Sequence, residues 1–310
     1  MPPCCPANPL PDRPTTPILL SWERRPRTRR SRSGPATGWS SAPPPSSSPT
    51  TRERRARLSA RALRSESVTT VLLVRHGLTA TTGHVLTGWL PGIGLDDRGR
   101  AQAAAVAARL APLPLAAIVS SPLERCMQTA AAIAATRDGQ QVLADDRVGE
   151  VRYGDWTGRR LKKLARERLW RVVQAHPSGM TFPGGESMPD MQHRAVTAVR
   201  DWNARLGADA TYLICSHGDV IKAIIADSLG LHLDQVQRIQ ADPCSLTVIR
   251  YTPLRPFLVR MNDRGGGMDD LMPRARGHGA THGRGGAERV SDAAVGGGAG
   301  GALEDELTRG

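Results

Sequence analysis

Two short apolar runs in the chain each end on a histidine followed by glycine. Val71-Leu72-Leu73-Val74 leads into Arg75-His76-Gly77, and Tyr212-Leu213-Ile214-Cys215 leads into Ser216-His217-Gly218. A run of aliphatic residues without polar alternation predicts a strand buried on both faces, the kind found in parallel sheets covered by helices on either side. In an open parallel sheet, ligands collect just beyond the carboxyl ends of the strands. Two imidazoles are therefore delivered to that edge, one of them beside an arginine. A nitrogen nucleophile in a cationic pocket points to phosphoryl transfer through a phosphohistidine.

The segments between and around these runs read as a βαβ alternation. After the first strand, glycines and a proline punctuate a loop through residues 80–94. Residues 99–110 are Ala-rich and predict a helix. Residues 116–119 predict a second strand that ends at Ser120-Ser121-Pro122, and residues 123–136 the helix after it. A short strand is expected near Val142. Residues 158–175 predict one amphipathic helix, and Ser187 with Asp190 resembles a capping box opening a helix over 188–206. The second His-Gly strand covers 211–215, followed by a helix over 219–229. Residues 246–251 and 257–261 close the domain as a hairpin. The expected architecture is an α/β three-layer sandwich, a mainly parallel sheet with helices on both faces.

Composition limits this domain to the middle of the chain. Of 310 residues with net charge +13, residues 1–67 hold 13 Arg against 4 acids. Dense in Pro, Ser and Thr, that segment buries too little apolar surface to offset its ordering entropy and is expected to be disordered. A start at Val68 would make it translated upstream sequence. Residues 264–310 are Gly-rich, nearly neutral and likewise expected to be disordered, which leaves 68–263 as the folded unit. The basic excess could suggest nucleic acid. With 39 Arg and 3 Lys beside abundant Ala, Gly and Pro, it reads instead as compositional bias, and nucleic acid is not the expected partner. No run approaches the roughly 18 apolar residues of a membrane span, and there is no secretory h-region. Five cysteines without a CxxC pair fit reduced thiols in a cytoplasm.

A phosphate monoester repels anionic nucleophiles, whereas a neutral imidazole flanked by arginines does not. His76 is the expected nucleophile and Arg75 its neighbour on the phosphate. Gly77 allows close backbone approach, and Thr79 could add a hydroxyl donor. Arg125 follows the Ser-Ser-Pro turn on the first turn of a helix, from which it can reach back over the sheet edge. His217 would stabilise the charge on the phosphoryl oxygens from the far side. The leaving alkoxide needs a general acid, and Glu150 is the candidate, with Asp155 as a competitor that spacing cannot eliminate.

Taken together, the motifs carry a resemblance. Leu73-Val74-Arg75-His76-Gly77-x-Thr79, Ser120-Ser121-Pro122-Leu123-x-Arg125-x-x-Gln128-Thr129-Ala130, Glu150-x-x-x-Gly154-x-Trp156-x-Gly158, Pro183-Gly184-Gly185-Glu186-Ser187 and Ser216-His217-Gly218 resemble, in order, the histidine phosphatase superfamily, the phosphoglycerate mutase-like family. The resemblance covers residues 70–261. It implies His76 as nucleophile, Arg75, Arg125 and His217 as phosphate ligands, and Glu150 as proton donor in metal-independent hydrolysis of a small phosphorylated metabolite, with no cofactor. Many members carry Glu and Asn where this chain has Leu78 and Thr82. Loss of the first leaves Glu150 favoured as donor. At the second, Thr82 would help bind phosphate in place of Asn, or His84 and loop backbone would substitute. The short stretch from Tyr153 to Glu186 resembles the phosphatase branch more than a mutase, which needs a long substrate clamp. A further alternative is a phosphate-binding protein without catalysis; the sequence leaves the oligomeric state open, a dimer included.

Other chemistries fit less well. Cys244 and Arg250 match the Cys-x5-Arg spacing of thiol phosphatases, yet the residues between them alternate like a strand and lack the glycines of a phosphate loop. Ser216 has no Gly-x-Ser-x-Gly elbow, and no histidine or cysteine spacing fits zinc. Arg159, Arg160, Arg166 and Arg168 hint at an anionic second group on the substrate.

Overall fold

The computed structural model describes residues 68–266; the expectations about 1–67 and about most of the Gly-rich tail fall outside the described residues. In chain order the elements are β1 (Thr69–Arg75), α1 (Asp97–Leu110), β2 (Ile118–Ser120), α2 (Glu124–Ala134), β3 (Val142–Ala144), α3 (Leu161–Leu164), α4 (Arg168–Ala175), α5 (Met188–Leu206), β4 (Thr211–Ser216), α6 (Gly218–Leu229), β5 (Leu246–Tyr251) and β6 (Pro256–Asp263). They form one six-stranded sheet in the order β3-β2-β4-β1-β5-β6. The four strands from β3 to β1 run parallel, and the β5–β6 hairpin adds an antiparallel margin.

Alternate residues of the central strands serve opposite cores, which explains their unbroken apolar sequence. Val71 and Leu73 of β1, with Tyr212 and Ile214 of β4, pack against α5 and α6. Leu72 and Val74, with Leu213 and Cys215, pack against α1 and α2. The three-layer α/β architecture expected from the sequence is the observed one. In register, Arg75 lies opposite Ser216 and Ser120 opposite Cys215, so β1, β2 and β4 end level with one another and release His76, Ser121 and His217 along a single edge.

One expected helix is two. Residues 158–175 form α3 and α4, separated around an extended Glu167. Leu164 and Val173 are both buried, and nine residues at 100° each place them on opposite faces of a continuous helix. Breaking the helix lets both reach the core. The N-cap at Ser187 is present: its hydroxyl oxygen accepts from the Asp190 amide at 3.1 Å. The hydroxyl also donates to the Asp190 carboxylate, so the reciprocal half of a capping box is not made.

Two glycines hold α1 against the loop after β1. A Cβ on Gly99 would lie 2.0 Å from the Leu78 carbonyl oxygen, and one on Gly77 would lie 2.6 Å from the Gly99 carbonyl oxygen. The loop following His76 therefore rests backbone to backbone on the start of α1.

Candidate active site

At the carboxyl edge of the sheet, the imidazoles of His76 and His217 stand 5.2 Å apart between centroids, tilted by 59°. His76 is placed by the end of β1 and tied to β4 by its amide, which donates to the Ser216 carbonyl. Its Nδ1 lies 2.7 Å from the Gly77 carbonyl oxygen. A carbonyl only accepts, so Nδ1 carries the proton and the lone pair of the neutral ring sits on Nε2. Burial, together with the charges of Arg125 and Arg75, holds His76 well below the ordinary histidine range. The ring is a neutral base with one nitrogen available.

Both arginines are almost fully buried. Arg75 anchors Nη1 on the Ala241 carbonyl. Arg125, on the first turn of α2, gives Nη2 to the Gly88 carbonyl at 2.9 Å and to His217 Nδ1 at 3.2 Å. Its Nε and Nη1 are buried without a hydrogen-bond partner among the described residues. Buried donors left unmatched are costly, and two on one guanidinium suit an oxyanion.

The ring of His217 is completely buried. Because a guanidinium can only donate, its contact makes His217 Nδ1 an acceptor and puts the ring proton on Nε2, 2.8 Å from Ser121 Oγ. The expected donation from His217 to a phosphoryl oxygen therefore requires the other tautomer. A serine hydroxyl both donates and accepts, so Ser121 can satisfy either one. Cys126 Sγ also lies 3.4 Å from Nε2, and like Cys215 and Cys244 it is a free thiol.

Glu150 reaches the site from the turn after β3. Its carboxylate stands 3.7 Å from His217 Nδ1 and accepts from the Val151 amide at 3.0 Å. Burial, with a smaller contribution from the negative charge of Asp219, pushes its pKa up to about 7. Two outside side chains fix its backbone turn. Arg194 of α5, ion-paired with Glu186, donates to the carbonyls of Arg147, Gly149 and Glu150, and Trp89 donates to the Glu150 carbonyl. Asp155, the competitor, is exposed, with its carboxylate beside Gly184. Geometry thus separates the two acids where spacing could not.

Arg75, His76, Thr82, Gly88, Glu150 and Tyr153 line one cleft. Thr79 is buried but is not among the lining residues; its hydroxyl meets those of Thr81 at 3.1 Å and Thr82 at 2.9 Å. Thr82 also accepts from the Thr79 amide, so the pair closes the turn and Thr82 alone borders the cleft. His84 is exposed. None of Arg159, Arg160, Arg166 and Arg168 is among the lining residues; Arg159 is ion-paired with Glu167. Arg160, Arg166 and Arg168 are exposed, and of the four only Arg168 stands in a helix. Cys244 and Arg250 form no phosphate loop: Arg250 is exposed on β5, and Cys244 donates its amide to the Arg75 carbonyl.

Sequence reasoning missed Ser121 as a partner of His217, and Arg194 as the brace of the Glu150 turn. Ser121 stood in a quoted motif, and its place at the end of β2 was the signal. Arg194 lies 44 residues from Glu150 and gives no local signal.

Residues 71–264 match the family described as the histidine phosphatase superfamily (branch 1). The chain is 36% identical over 173 residues to the glucosyl-3-phosphoglycerate phosphatase of Mycolicibacterium vanbaalenii, covering 53% of this chain and 76% of that one. It is 32% identical over 180 residues to a protein of Erwinia tasmaniensis named "Probable phosphoglycerate mutase GpmB", covering 57% and 82%. Among solved structures, the native mycobacterial glucosyl-3-phosphoglycerate phosphatase Rv2419c superposes with a TM-score of 0.57 at 26% identity, covering 63% of this chain and 99% of that one. YhfR of Bacillus stearothermophilus superposes at 0.58 with 27% identity, covering 63% and 97%. The motifs, the sheet that aligns them and the match over 71–264 agree: the chain belongs to the histidine phosphatase superfamily.

Proposed function

We propose that His76 is the nucleophile of a phosphomonoesterase, with Glu150 as proton donor and Arg75, Arg125 and His217 as ligands of the transferred phosphoryl group. The protein is a histidine phosphatase, hydrolysing phosphomonoesters through a phosphohistidine. The observation that carries the residue roles is the hydrogen bond from His76 Nδ1 to the Gly77 carbonyl, which leaves Nε2 as the one nitrogen able to attack.

Nε2 displaces the ester oxygen from phosphorus. The P–O bond breaks as the P–N bond forms, and charge on the equatorial oxygens falls to the two guanidinium groups. The departing alkoxide takes the proton of Glu150, whose pKa, raised to about 7, leaves a large share of it protonated at neutral pH. Water then attacks the phosphohistidine and gives its proton to Glu150. Inorganic phosphate leaves, and both residues return to their starting states. As Arg125 turns to the phosphoryl group, His217 Nδ1 is freed; in the tautomer protonated at Nδ1 it donates to a phosphoryl oxygen while the Ser121 hydroxyl donates to Nε2. Thr79 acts through Thr82, which borders the substrate.

The substrate is a small phosphorylated metabolite. Beyond the phosphate ligands, the cleft is bordered by Thr82, Val85, Leu86, Thr87 and Leu161, which favours a compact alcohol portion. Two buried arginines supply the positive charge a metal would otherwise provide, so turnover is independent of metal ions. We place the catalytic unit at residues 68–263 and the protein in the cytoplasm, without a nucleic-acid partner. No helix among the described residues is long and apolar enough to cross a membrane.

The test is phosphate release from a panel of small phosphomonoesters in EDTA, with His76→Ala alongside. Release that persists in EDTA and vanishes in the variant is the expected result. Transfer of the phosphoryl group to a second alcohol in place of water would instead establish a mutase, the activity named for the Erwinia relative.

A further inference from the structure

Behind the cleft lies a cluster of buried polar groups that the reaction above does not use. Asp219, in the first turn of α6, is 3% exposed, as is Lys222 one turn on. The phenol of Tyr153, also buried, donates to Asp219 Oδ2 at 2.9 Å. Lys222 Nζ stands 3.8 Å from Asp219 Oδ1 and donates to Gln237 Oε1 at 3.4 Å, and Gln237 is in turn tied to the Val173 carbonyl. Tyr153 and Glu150 are three residues apart and line the same cleft. The cluster is thus joined directly to the wall that carries the proton donor.

A buried carboxylate is expensive unless paired, and Asp219 is paired with Lys222 and held by the Tyr153 phenol. The phenol steadies the charge without cancelling it. The field of that carboxylate has one nearby group to act on that can change its charge near neutral pH. Glu150 is faced by Arg75 of β1 and His76 just after it, by Arg125 from α2, by His217 from the end of β4 and by Arg194 from α5. Tyr153 shares its own segment, and Asp219 and Lys222 come from α6. Except for Asp219, the charged groups in that set are cations, and these favour an ionised Glu150. They work against burial, and a Glu150 that lost its proton below neutrality could not protonate a leaving group.

We propose that Asp219 is a positioning residue for the proton donor: its buried carboxylate, fixed by Tyr153 and balanced by Lys222, keeps Glu150 in the protonated form that the leaving alkoxide needs. Lys222 sets how much of that negative charge is felt. The electrostatics point the same way, since Asp219 is the largest raising influence on Glu150 after burial itself. The inference rests on the assignment of Glu150 as donor.

The test is the pH profile of kcat on an alkyl phosphate for the wild type, Asp219→Asn, Lys222→Gln, Tyr153→Phe and Glu150→Gln. Loss of the Asp219 charge moves the basic limb to lower pH by about one unit. Loss of the Lys222 charge moves it to higher pH by a comparable amount. Tyr153→Phe, which preserves both charges, moves it little. On p-nitrophenyl phosphate, whose leaving group needs no proton, the shifts disappear. Displacement of the limb in the same direction by both charge variants, or a uniform fall in kcat with the limb unmoved, would show a merely structural role and overturn the proposal. Should Asp219→Asn fail to fold, the Lys222→Gln shift alone decides the sign. If the basic limb survives in Glu150→Gln, the donor is another group and the proposal falls together with that assignment. A limb that vanishes in Glu150→Gln but does not move with Asp219 or Lys222 removes only the proposal.

Discussion

An imidazole becomes a phosphoryl acceptor when its proton is held at one nitrogen and its lone pair is aimed from the other. His76 meets that condition through a single contact with the carbonyl of the next residue. Removing the ring removes the nucleophile, so His76→Ala is predicted to lose at least a thousandfold in kcat while retaining substrate binding through Arg75 and Arg125; steady-state kinetics with product-inhibition constants check both halves. Glu150 is predicted to matter in proportion to the basicity of the leaving group. Glu150→Gln should lower kcat by about 10²–10⁴ on alkyl phosphates and far less on p-nitrophenyl phosphate. Equal losses on the two substrates would deny it the donor role. The meeting of His76, Arg75 and His217 at one sheet edge was legible because each stands at a sequence-adjacent landmark, a strand end and a glycine. Choosing Glu150 over Asp155 was not a matter of spacing. It depended on which acid the turn after β3 buries, and Arg194 and Trp89, both far away in sequence, enforce that turn.

At the scale of elements, the site depends on three strand ends being level and on α1 pressing against the loop that follows His76. The second condition belongs to glycine. An added Cβ at Gly99 would meet the Leu78 carbonyl oxygen at 2.0 Å and the Leu78 amide nitrogen at 2.8 Å, and backbone cannot step aside as a flexible side chain can. Gly99→Ala is therefore predicted to cost about 1–3 kcal/mol, a fall of about 2–4 °C in Tm per kcal/mol for a domain of this size. It should also depress kcat, because the displaced loop carries His76. Thermal unfolding and kinetics on the same variant test the coupling; a stable Gly99→Ala enzyme with full activity would contradict the packing. The strand and helix order was readable from periodicity wherever an element serves the core with a simple face. The exception is instructive. An amphipathic stretch over 158–175 satisfies the pattern for one helix, but the requirement to bury both Leu164 and Val173 is tertiary and breaks it into two.

Across the whole molecule, burying an acid and two imidazoles without their charges makes stability depend on pH in two opposing ways. Glu150 has a folded pKa of about 7 against an ordinary value of 4.5. A raised carboxylate stabilises the fold below its unfolded pKa, and that stabilisation is lost as pH rises through about 4.5–7. Its size is roughly 3 kcal/mol. His76 and His217 lie well below the ordinary histidine value of 6.5. Their contribution is present above that value and lost as pH falls beneath it, since the unfolded chain takes up protons that the folded one refuses. The two trends oppose one another below pH 6.5 and flatten the wild-type profile. The difference between Glu150→Gln and wild type isolates the acid: denaturant unfolding should show the variant gaining on the wild type by roughly 3 kcal/mol between pH 4.5 and pH 7.5. A difference independent of pH would mean that Glu150 is ionised in the fold.

The central claim is that phosphorus passes through His76, and rapid quenching of a reaction with a 32P-labelled phosphomonoester tests it most directly. A label bound to the wild-type protein within the first turnover, lost in acid and retained in alkali as a phosphoramidate is, mapping to His76 and missing from His76→Ala, is the predicted result. Phosphate released without a protein-bound label, or a label that survives in His76→Ala, would contradict the account.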